Sequence, residues 1–289
     1  MRIFSAQTQL SEPVAESLQS LARTHYENFP VGSFLLSKEL RKPIQLVYAF
    51  ARVADDIADE GDASKETRLT LLDEWENQLK RALAAEKSDN FFRELADMVA
   101  EYGIPPSLLS DLIAAFRMDV CGTEYDTFDD LKFYCQHSAN PIGRILLHIV
   151  GCADEANCRL SDAVCTALQM TNFWQDLGID IKRNRDYIPN EDFRRFGVTK
   201  EDLRLNGVEG KVRPLLKYQV DRTKEFFLEG KALLHSINKK FAFELKLTHC
   251  GGMRMLEKIE LMQYDTLHRR PALSKFDWAV IFTRSLRTR

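Results

Sequence analysis

Apolar residues recur at intervals of three and four along most of this chain, the spacing that places side chains on one face of an α-helix. The two clearest stripes are Ile44, Val47, Ala51, Ala54 and Ala58, and Leu69, Leu72, Trp75, Leu79 and Leu83. Strand-like alternation is scarce, and the prolines leave long free stretches at 44–104, 142–188 and 215–270. The pattern therefore predicts an all-α protein.

Individual helices follow from this periodicity together with the breaks made by proline and glycine. We predict them at 14–24, 43–60, 65–86, 90–102, 106–121, 128–152, 160–183, 210–240, 252–267 and 274–286. Pro43 would lie in the first turn of its helix, and Gly61 would follow the end of that helix. The charged, proline-punctuated stretch 184–209 is interpreted as an active-site flap. No repeat or low-complexity linker divides the chain, so residues 1–289 are predicted to form one domain.

Composition excludes several classes of protein. The 289 residues are 45% hydrophobic and 29% charged, which is typical of a globular protein. With 40 basic and 43 acidic residues the chain lacks the basic excess of nucleic-acid-binding proteins. No apolar run approaches the roughly 20 residues of a membrane span, and the N-terminus does not resemble a signal peptide. The six cysteines form no CxxC pair, which indicates reduced thiols in a cytoplasmic protein and no zinc site.

The first candidate site is an acidic pattern, Tyr48-x-x-x-Arg52-x-x-Asp55-Asp56-x-x-Asp59. On a helix, Asp55 and Asp59 lie one turn apart, and Arg52 and Tyr48 lie on the preceding turns. Carboxylates this close repel one another unless a cation neutralises them, and hard divalent cations bind such oxygens. Alone, the pattern is more often a solvated acidic face.

A second oxygen-rich stripe favours the metal interpretation. Its members follow at spacings of three, four and four on one predicted helix: Gln169, Asn172, Asp176 and Asp180. An amphipathic surface helix can produce such a stripe, but a solvated face usually also carries Lys or Glu. Two stripes facing each other across a bundle would let magnesium clamp a diphosphate. Basic residues nearby would bind the remaining oxygens, although each alone is more often a surface ion-pair residue: Arg52, Lys182, Arg183, Arg185, Arg269 and Arg270.

Other catalytic chemistries have no motif in the chain. There is no Glu-x-x-His pair for a di-iron centre, no GxGxxG or P-loop for a nucleotide, and no GxSxG. His137 and His148 are single histidines on predicted helices, where a hydrogen-bonded role in the core or at its rim is commoner than catalysis.

Three segments together resemble the squalene and phytoene synthase family. They are HYENFPVGSFLL from His25, YAFARVADDIADE around the first aspartate pattern, and QMTNFWQDLGIDIKRNRDYIP around the second. The resemblance covers nearly the whole chain, from His25 to the last predicted helix. It implies a single-domain, isoprenoid-synthase-type helical bundle with a central cavity.

Within that family, the wording NFWQD and the segment YCQHSANPIGRILLHIVG resemble the bacterial branch that makes hydroxysqualene for hopanoids. Two positions depart from the family pattern, which has arginine at Gln175 and often lysine at Glu27. The resemblance implies magnesium ligands at Asp55, Asp59, Asp176 and Asp180, with Asn172 in the same cluster and Asp56 as a further candidate. It implies diphosphate contacts at Asn28, Tyr48, Arg52, Gln169, Asn172 and Arg270.

The activity implied by this resemblance is that of a carbon–oxygen lyase, which turns presqualene diphosphate and water into hydroxysqualene and diphosphate. Several Mg²⁺ ions and no NADPH are expected. Tyr48 and Arg52 would assist the leaving diphosphate. A polar residue of the HSAN segment, His137, Ser138 or Asn140, would orient the water that quenches the cation. The same residues have a simpler interpretation, in which they cap or bend the helix before Pro141.

The sequence also suggests partners for this protein and leaves two other functions open. The product is a thirty-carbon lipid, so the basic C-terminus with Arg284, Arg287 and Arg289 would contact the inner membrane face transiently, unless it is a solvated tail. Pathway enzymes are further expected partners, and nucleic acid is not. Two other functions stay open: a transferase condensing two prenyl diphosphates into presqualene diphosphate or a phytoene-type product, and a non-catalytic scaffold of the same fold.

Overall fold

Helices are the regular elements of the described part of the chain, which comprises residues 38–86, 88, 90–205, 208 and 210–287 of a computed structural model. No strand occurs within those ranges, so the all-α prediction is confirmed. The helix predicted at 14–24 lies outside the described residues. Contacts divide the chain into two compact units, and the boundary along the sequence falls between Val120 and Cys121. The single-domain prediction stays a prediction.

The first unit contains helices α1 (Lys38–Asp59), α2 (Lys65–Leu83), α3 (Asn90–Glu101) and α4 (Ser107–Cys121). Its first three helices pack against one another around an aromatic cluster. The Trp75 ring lies 5.8 Å from that of Phe50 and 4.6 Å from that of Phe92. Aromatic pairs of this kind contribute about 0.5–1.5 kcal/mol each beyond the area they bury. The apolar face of α1 is thereby fixed, and the first aspartate pattern lies on a rigid helix.

One boundary of α1 differs from the prediction. The helix runs from Lys38 through Pro43 and does not begin at Pro43. A proline this near the start of a helix removes a single backbone hydrogen bond, the one to Glu39, and the burial of Ile44, Val47 and Ala54 offsets that loss. Gly61 follows the end of α1 with a φ of 74°, as predicted for a helix stop.

The second unit contains nine helices among its described residues. They are α5 (Phe128–Ser138), α6 (Asn140–Ile149), α7 (Glu155–Lys182), α8 (Asn190–Phe196), α9 (Lys200–Leu205), α10 (Val212–Gly230), α11 (Leu233–Ser236), α12 (Lys239–Leu261) and α13 (Lys275–Arg287). The long helix α7 is central, because it packs against α5, α6, α10, α11 and α12.

Polar and steric contacts lock α7 to α10. The indole nitrogen of Trp174, a residue that is 2% exposed, donates a hydrogen bond to Thr223 Oγ1 at 2.8 Å. At the end of α10, Gly230 lies so close to α7 that a Cβ there would stand 2.8 Å from the Leu160 carbonyl oxygen and 2.5 Å from Val164 Cγ2. The helix that carries the second oxygen-rich stripe therefore has no space beside it at this crossing.

Three predicted helices differ in the structure. The stretch 128–152 is interrupted at Ala139, because Pro141 has no backbone N–H to continue the hydrogen bonds of α5 and is accommodated in the first turn of α6. The stretch 210–240 divides into α10 and α11. The boundary predicted at 252 is wrong, since Asn238 caps a helix that runs unbroken through Gly251 and Gly252. Gly252 is not a helix breaker here: a Cβ there would lie 2.3 Å from Phe227 Cζ.

The described residues of the stretch 184–209 include two helices and one member of a buried ion pair. The helices are α8 and α9, and α8 is fastened by the buried carboxylate of Asp192. That carboxylate accepts hydrogen bonds from Gln219 Nε2 at 2.9 Å and from Arg222 Nη2 at 2.7 Å. The Arg222 guanidinium lies 3.7 Å from the Phe128 ring centroid. The interpretation as a flap is therefore wrong for α8, since a charge buried in this way is costly to expose.

No helix among the described residues is long and apolar enough to cross a bilayer. All six cysteines fall within the described residues and are thiols. Burial raises the pKa of the Cys165 thiol to about 12, so that this side chain is a core residue and not a nucleophile.

Helix α13 is attached to α12 through Asp277, which is 1% exposed. Arg254 Nε donates to one carboxylate oxygen at 2.8 Å, and Lys258 and Ser274 donate to the other. Ser274 in turn accepts from the Asp277 backbone nitrogen, which completes a capping box. Burial alone would raise the pKa of Asp277, but the bonds from Lys258, Ser274 and Arg254 outweigh it and hold that pKa well below its usual range.

Substitution of Asp277 by asparagine should lower the free energy of unfolding by about 2–4 kcal/mol at neutral pH, because two cations lose their shared anion. Urea denaturation monitored by circular dichroism measures this. The depressed pKa means that the stabilisation is present above about pH 4, the unfolded value, and is lost as the pH falls below it. The two proteins should therefore converge in acid. Asp129→Asn, at an exposed pair with Lys132, is the control and should change stability by less than about 1 kcal/mol; equal effects of the two substitutions would contradict the account.

Candidate functional site

The first aspartate pattern is gathered around one arginine. Arg52 Nη1 donates to Asp55 Oδ2 at 2.8 Å, and Nη2 lies 2.6 Å from Asp56 Oδ1 and 3.0 Å from Glu60 Oε1. These residues occupy successive turns at the end of α1, as the spacing predicts. One guanidinium therefore partly neutralises three carboxylates on this side of the helix.

Two buried polar atoms of this cluster lack a hydrogen bond among the described residues. They are Arg52 Nε and Asp56 Oδ1, which is near the guanidinium but not aligned with it. Burial raises the pKa of Asp56 to about 6, and the negative charges of Glu60 and Asp55 add to this effect. The positive charge of Arg52 acts in the opposite direction and does not cancel it. An unsatisfied donor and an unsatisfied carboxylate oxygen side by side are suited to a ligand that brings both an anion and a cation.

Tyr48 lies one turn before Arg52 and is half-buried. Burial, together with the negative charges of Asp55 and Asp56, raises the pKa of its phenol despite Arg52. The hydroxyl therefore stays protonated at neutral pH and can donate a hydrogen bond to an anion.

The second stripe lies on α7, as predicted. Gln169, Asn172, Asp176 and Asp180 are all partly exposed, and the residues that flank them are largely buried. The helix thus opens to solvent along a line of amide and carboxylate oxygens.

A loop packs against α7 beside this stripe, at Gly178 between Asp176 and Asp180 in the sequence. At Gly178 a Cβ would stand 2.2 Å from the Leu267 carbonyl oxygen, so only glycine allows the loop to lie there. Next to Asp176, the buried Gln175 donates its side-chain amide to the Pro271 carbonyl at 2.9 Å. Between these two fixed points Arg270 pairs with Asp176, through Nε and, at 3.4 Å, Nη2.

The loop contacts explain one departure from the family pattern. Gln175 is not oriented toward a ligand; it is a tether for the loop that carries Arg270. The sequence indicated Arg270 as a site residue, but it did not indicate that Gln175 and Leu267 hold the loop that carries it. The sequence feature that could have revealed this loop is Gly178 in the segment QDLGID, because a glycine inside a long helix indicates close approach of another segment.

The HSAN segment lies at the junction of α5 and α6. Asn140 is buried, and its Oδ1 accepts a hydrogen bond from Thr166 Oγ1 of α7 at 3.1 Å. His137 Nδ1 lies 2.8 Å from the Phe133 carbonyl oxygen. A carbonyl only accepts, so Nδ1 carries the proton and Nε2 of the neutral ring is the acceptor nitrogen. Ser138 Oγ is buried with no hydrogen-bond partner among the described residues.

Aromatic rings join this segment to the second stripe. The Tyr134 ring, one turn before His137, lies 6.0 Å from that of Phe173, the neighbour of Asn172. Phe173 in turn stacks on Tyr187 at 3.9 Å with an interplanar angle of 8°. The second unit thus places aromatic faces between its polar segment and its oxygen-rich stripe.

Magnesium fits the donor set, although within the described ranges no three His, Cys, Asp or Glu side chains converge into a ready metal cluster. Every candidate ligand presents oxygen, the donor that Mg²⁺ prefers, and Asp56 offers a buried oxygen without a hydrogen bond. The residues that would hold magnesium are, in the first unit, Asp55, Asp56 and Asp59, and, in the second unit, Asn172, Asp176 and Asp180. Asn28 lies outside the described residues.

Known proteins are similar to most of this chain. The family model described as squalene/phytoene synthase matches residues 22–277. A solved structure titled squalene synthase HpnC from Alicyclobacillus acidocaldarius is 39% identical, with a TM-score of 0.80, and the match covers 88% of this chain and 95% of that one. A dehydrosqualene synthase structure, 20% identical with a TM-score of 0.84 over 95% and 96% of the two chains, shares the fold.

Curated relatives are more distant. The 15-cis-phytoene synthase of Synechococcus elongatus is 27% identical over 274 residues, which cover 90% of this chain and 88% of that protein. The chain spans only 60–64% of the length of the plant chloroplast phytoene synthases that it matches.

Substitution of Gly178 by alanine should displace the loop, because the new methyl group would overlap the Leu267 carbonyl. We expect a loss of about 1–3 kcal/mol in the free energy of unfolding, measured by urea denaturation. Gly251→Ala is the matched control, since a Cβ at that helical position meets nothing within 4 Å. The control should be neutral or more stable by up to about 1 kcal/mol. A stable Gly178→Ala protein would show that the loop does not require this close approach.

Proposed function

We propose that this chain, which belongs to the squalene/phytoene synthase family, converts presqualene diphosphate and water into hydroxysqualene and diphosphate. The family consists of enzymes that bind prenyl diphosphates. The observation that carries the finer assignment is the polar segment His137–Asn140, on the helices that pack against the helix of the second stripe. The similarity to the HpnC structure supports the hopanoid branch.

The reaction balances without a reductant. The carbon–oxygen bond to diphosphate breaks, and the electron pair leaves with diphosphate. The cyclopropane rearranges, and the resulting cation takes the oxygen of water, which gives up a proton. Nothing is oxidised or reduced, so no NADPH is required. A squalene product would instead need a hydride at the last step.

Departure of diphosphate depends on positive charge and hydrogen-bond donors. Bound Mg²⁺ supplies positive charge that stabilises the leaving group. Arg52 contributes its guanidinium, whose buried Nε has no hydrogen bond among the described residues. In the first unit the Tyr48 hydroxyl offers a hydrogen bond to an anion, and in the second unit the side-chain amides of Gln169 and Asn172 offer hydrogen bonds of the same kind. Arg270 supplies a second guanidinium, which matches phosphate oxygens in geometry.

The cation must then meet one water and no other nucleophile. The rings of Phe173, Tyr134 and Tyr187 form a cluster next to the second stripe, in which Phe173 and Tyr134 are each 4% exposed, and aromatic rings stabilise a nearby positive charge without adding to it. Phe50 and Trp174 are core residues packed against Trp75 and Thr223. The rings of Phe133 and His137 are in contact, with centroids 4.4 Å apart and planes tilted by 49°.

Of the polar residues in the HSAN segment, His137 best suits the water. The bond from Nδ1 to the Phe133 carbonyl fixes the tautomer, so Nε2 can accept the proton that the water gives up. Ser138 Oγ provides a second polar atom. Asn140 is engaged with Thr166 and holds α6 on α7, so its role is structural.

A transferase that condenses two prenyl diphosphates is the second candidate. The names of the relatives, phytoene synthases among them, favour it. That reaction forms a carbon–carbon bond and has no use for a water site.

We also propose peripheral contact with an anionic membrane surface. Four large apolar side chains of α13 are exposed: Phe276, Trp278, Phe282 and Leu286. The exposed charges of the helix are cationic, since Asp277 is buried, and Arg284 is partly neutralised by Glu257. Aromatic and cationic side chains together are typical of interfacial helices. Flotation with anionic liposomes, with neutral liposomes as control, tests this; Arg289 lies outside the described residues.

Incubation of the full chain with presqualene diphosphate and Mg²⁺, without NADPH, should yield hydroxysqualene by mass spectrometry, and farnesyl diphosphate alone should not. Asp55→Asn and Asp176→Asn should each lower diphosphate release by about 10²-fold or more, because charge on the leaving group is less stabilised. Asp129→Asn on exposed α5 should retain wild-type turnover. Activity that persists in EDTA, or product from farnesyl diphosphate only, would contradict the lyase assignment.

Replacement of His137 by phenylalanine keeps a ring on Phe133 but removes the acceptor nitrogen. We expect diphosphate release to continue while the hydroxysqualene fraction falls several-fold in favour of hydrocarbons that lose a proton. Asn140→Ala should lower the free energy of unfolding by about 1 kcal/mol through loss of its bond to Thr166 and leave product identity unchanged. Unchanged products from His137→Phe would remove His137 from the quenching step.

A further inference from the structure

We infer that Arg270 is a built-in counter-cation of the second motif, that it competes with Mg²⁺ for Asp176, and that Gln175 is the positioning residue that keeps it there. The inference rests on the proposed function only in taking Asp176 as a magnesium ligand. It adds a consequence: the metal and the diphosphate bind this motif cooperatively.

The guanidinium contacts both oxygens of the Asp176 carboxylate. Nε donates to Oδ1, and Nη2 lies 3.4 Å from Oδ2. A magnesium ion binds a carboxylate oxygen at about 2.1 Å, and a guanidinium on the same carboxylate repels it. With both oxygens of Asp176 in contact with Arg270, the arginine competes with the ion for this carboxylate.

Backbone contacts of the loop, and not contacts of the Arg270 side chain, hold Arg270 next to Asp176. Pro271, the next residue, accepts a hydrogen bond from Gln175, the residue before Asp176. The two donor–acceptor pairs, Gln175–Pro271 and Arg270–Asp176, are thus adjacent in both segments. The contact of Leu267 with Gly178 fixes the loop at a second point, two residues beyond Asp176. The pair is therefore preorganised, and an arginine on a loose loop would not be.

The pair is also only partly solvated, with side-chain exposures of 30% for Arg270 and 25% for Asp176. Partial burial strengthens the attraction relative to a surface pair, so displacing the arginine weakens Mg²⁺ binding. A diphosphate changes this balance, because a guanidinium that leaves Asp176 finds phosphate oxygens of matching geometry. Each ligand therefore raises the affinity of the other by the same factor.

Metal binding without any prenyl substrate tests the inference. The full chain, stripped of metal with EDTA and dialysed, is titrated with Mn²⁺, whose free concentration is read by electron paramagnetic resonance, and Mg²⁺ is added as competitor. Each titration is repeated with inorganic diphosphate. The variants are Arg270→Gln, Gln175→Leu and, as matched control, Arg144→Gln, which removes an arginine–aspartate pair at another position of the same helix.

Without diphosphate, Arg270→Gln should bind the metal about 10-fold more tightly than the wild type. Gln175→Leu should shift affinity in the same direction by a smaller factor, because its arginine is less well held. Arg144→Gln should match the wild type. With inorganic diphosphate, the wild type should gain more metal affinity than Arg270→Gln does.

Unchanged or weaker metal binding by Arg270→Gln without diphosphate would overturn the inference, as would a wild type that binds no metal under either condition. Circular dichroism confirms that each variant is folded, and if Gln175→Leu unfolds, Arg270→Gln alone decides. Failure of the proposed function gives a different result: normal metal behaviour together with no hydroxysqualene from presqualene diphosphate.

Discussion

Carboxylates grouped along one helix face stay ionised only when positive charge stands beside them, and this requirement shapes both aspartate motifs. On α1 the charge comes from Arg52, which belongs to the same helix and reaches Asp55, Asp56 and Glu60. On α7 it comes from Arg270, which a separate loop delivers to Asp176. Arginine therefore partly neutralises the acids of both motifs, and the same arginines are suited to receive a diphosphate.

The two arrangements differ in what keeps them in place. Arg52 depends on helical spacing alone, and α1 is held by the aromatic cluster around Trp75. Arg270 depends on tertiary contacts, namely the Gln175–Pro271 hydrogen bond and the approach of Leu267 to Gly178. A change in the fold of the second unit would therefore alter the electrostatics of its motif, whereas the first motif is nearly self-contained.

The helical class and the placement of both motifs follow from the sequence because they depend on local periodicity. Asp55 and Asp59, like Asp176 and Asp180, needed only the geometry of one helix. Periodicity gives no information on contacts between segments that are distant in the sequence. The interruption at Ala139 was readable from Pro141, yet the continuous helix through Gly251 and Gly252 was not, since Phe227 supplies the reason for glycine there. The role of Gln175 likewise depends on Pro271, 96 residues away.

Helix α7 is held without a gap near both of its ends, by the backbone contact of Leu160 with Gly230 and by that of Gly178 with Leu267. Sliding or rotation of α7 would make main-chain atoms overlap at these two contacts. Helix α7 is therefore fixed in position within the second unit. A rearrangement within the second unit therefore has to come from the segments packed around α7, such as the 262–274 segment that carries Arg270.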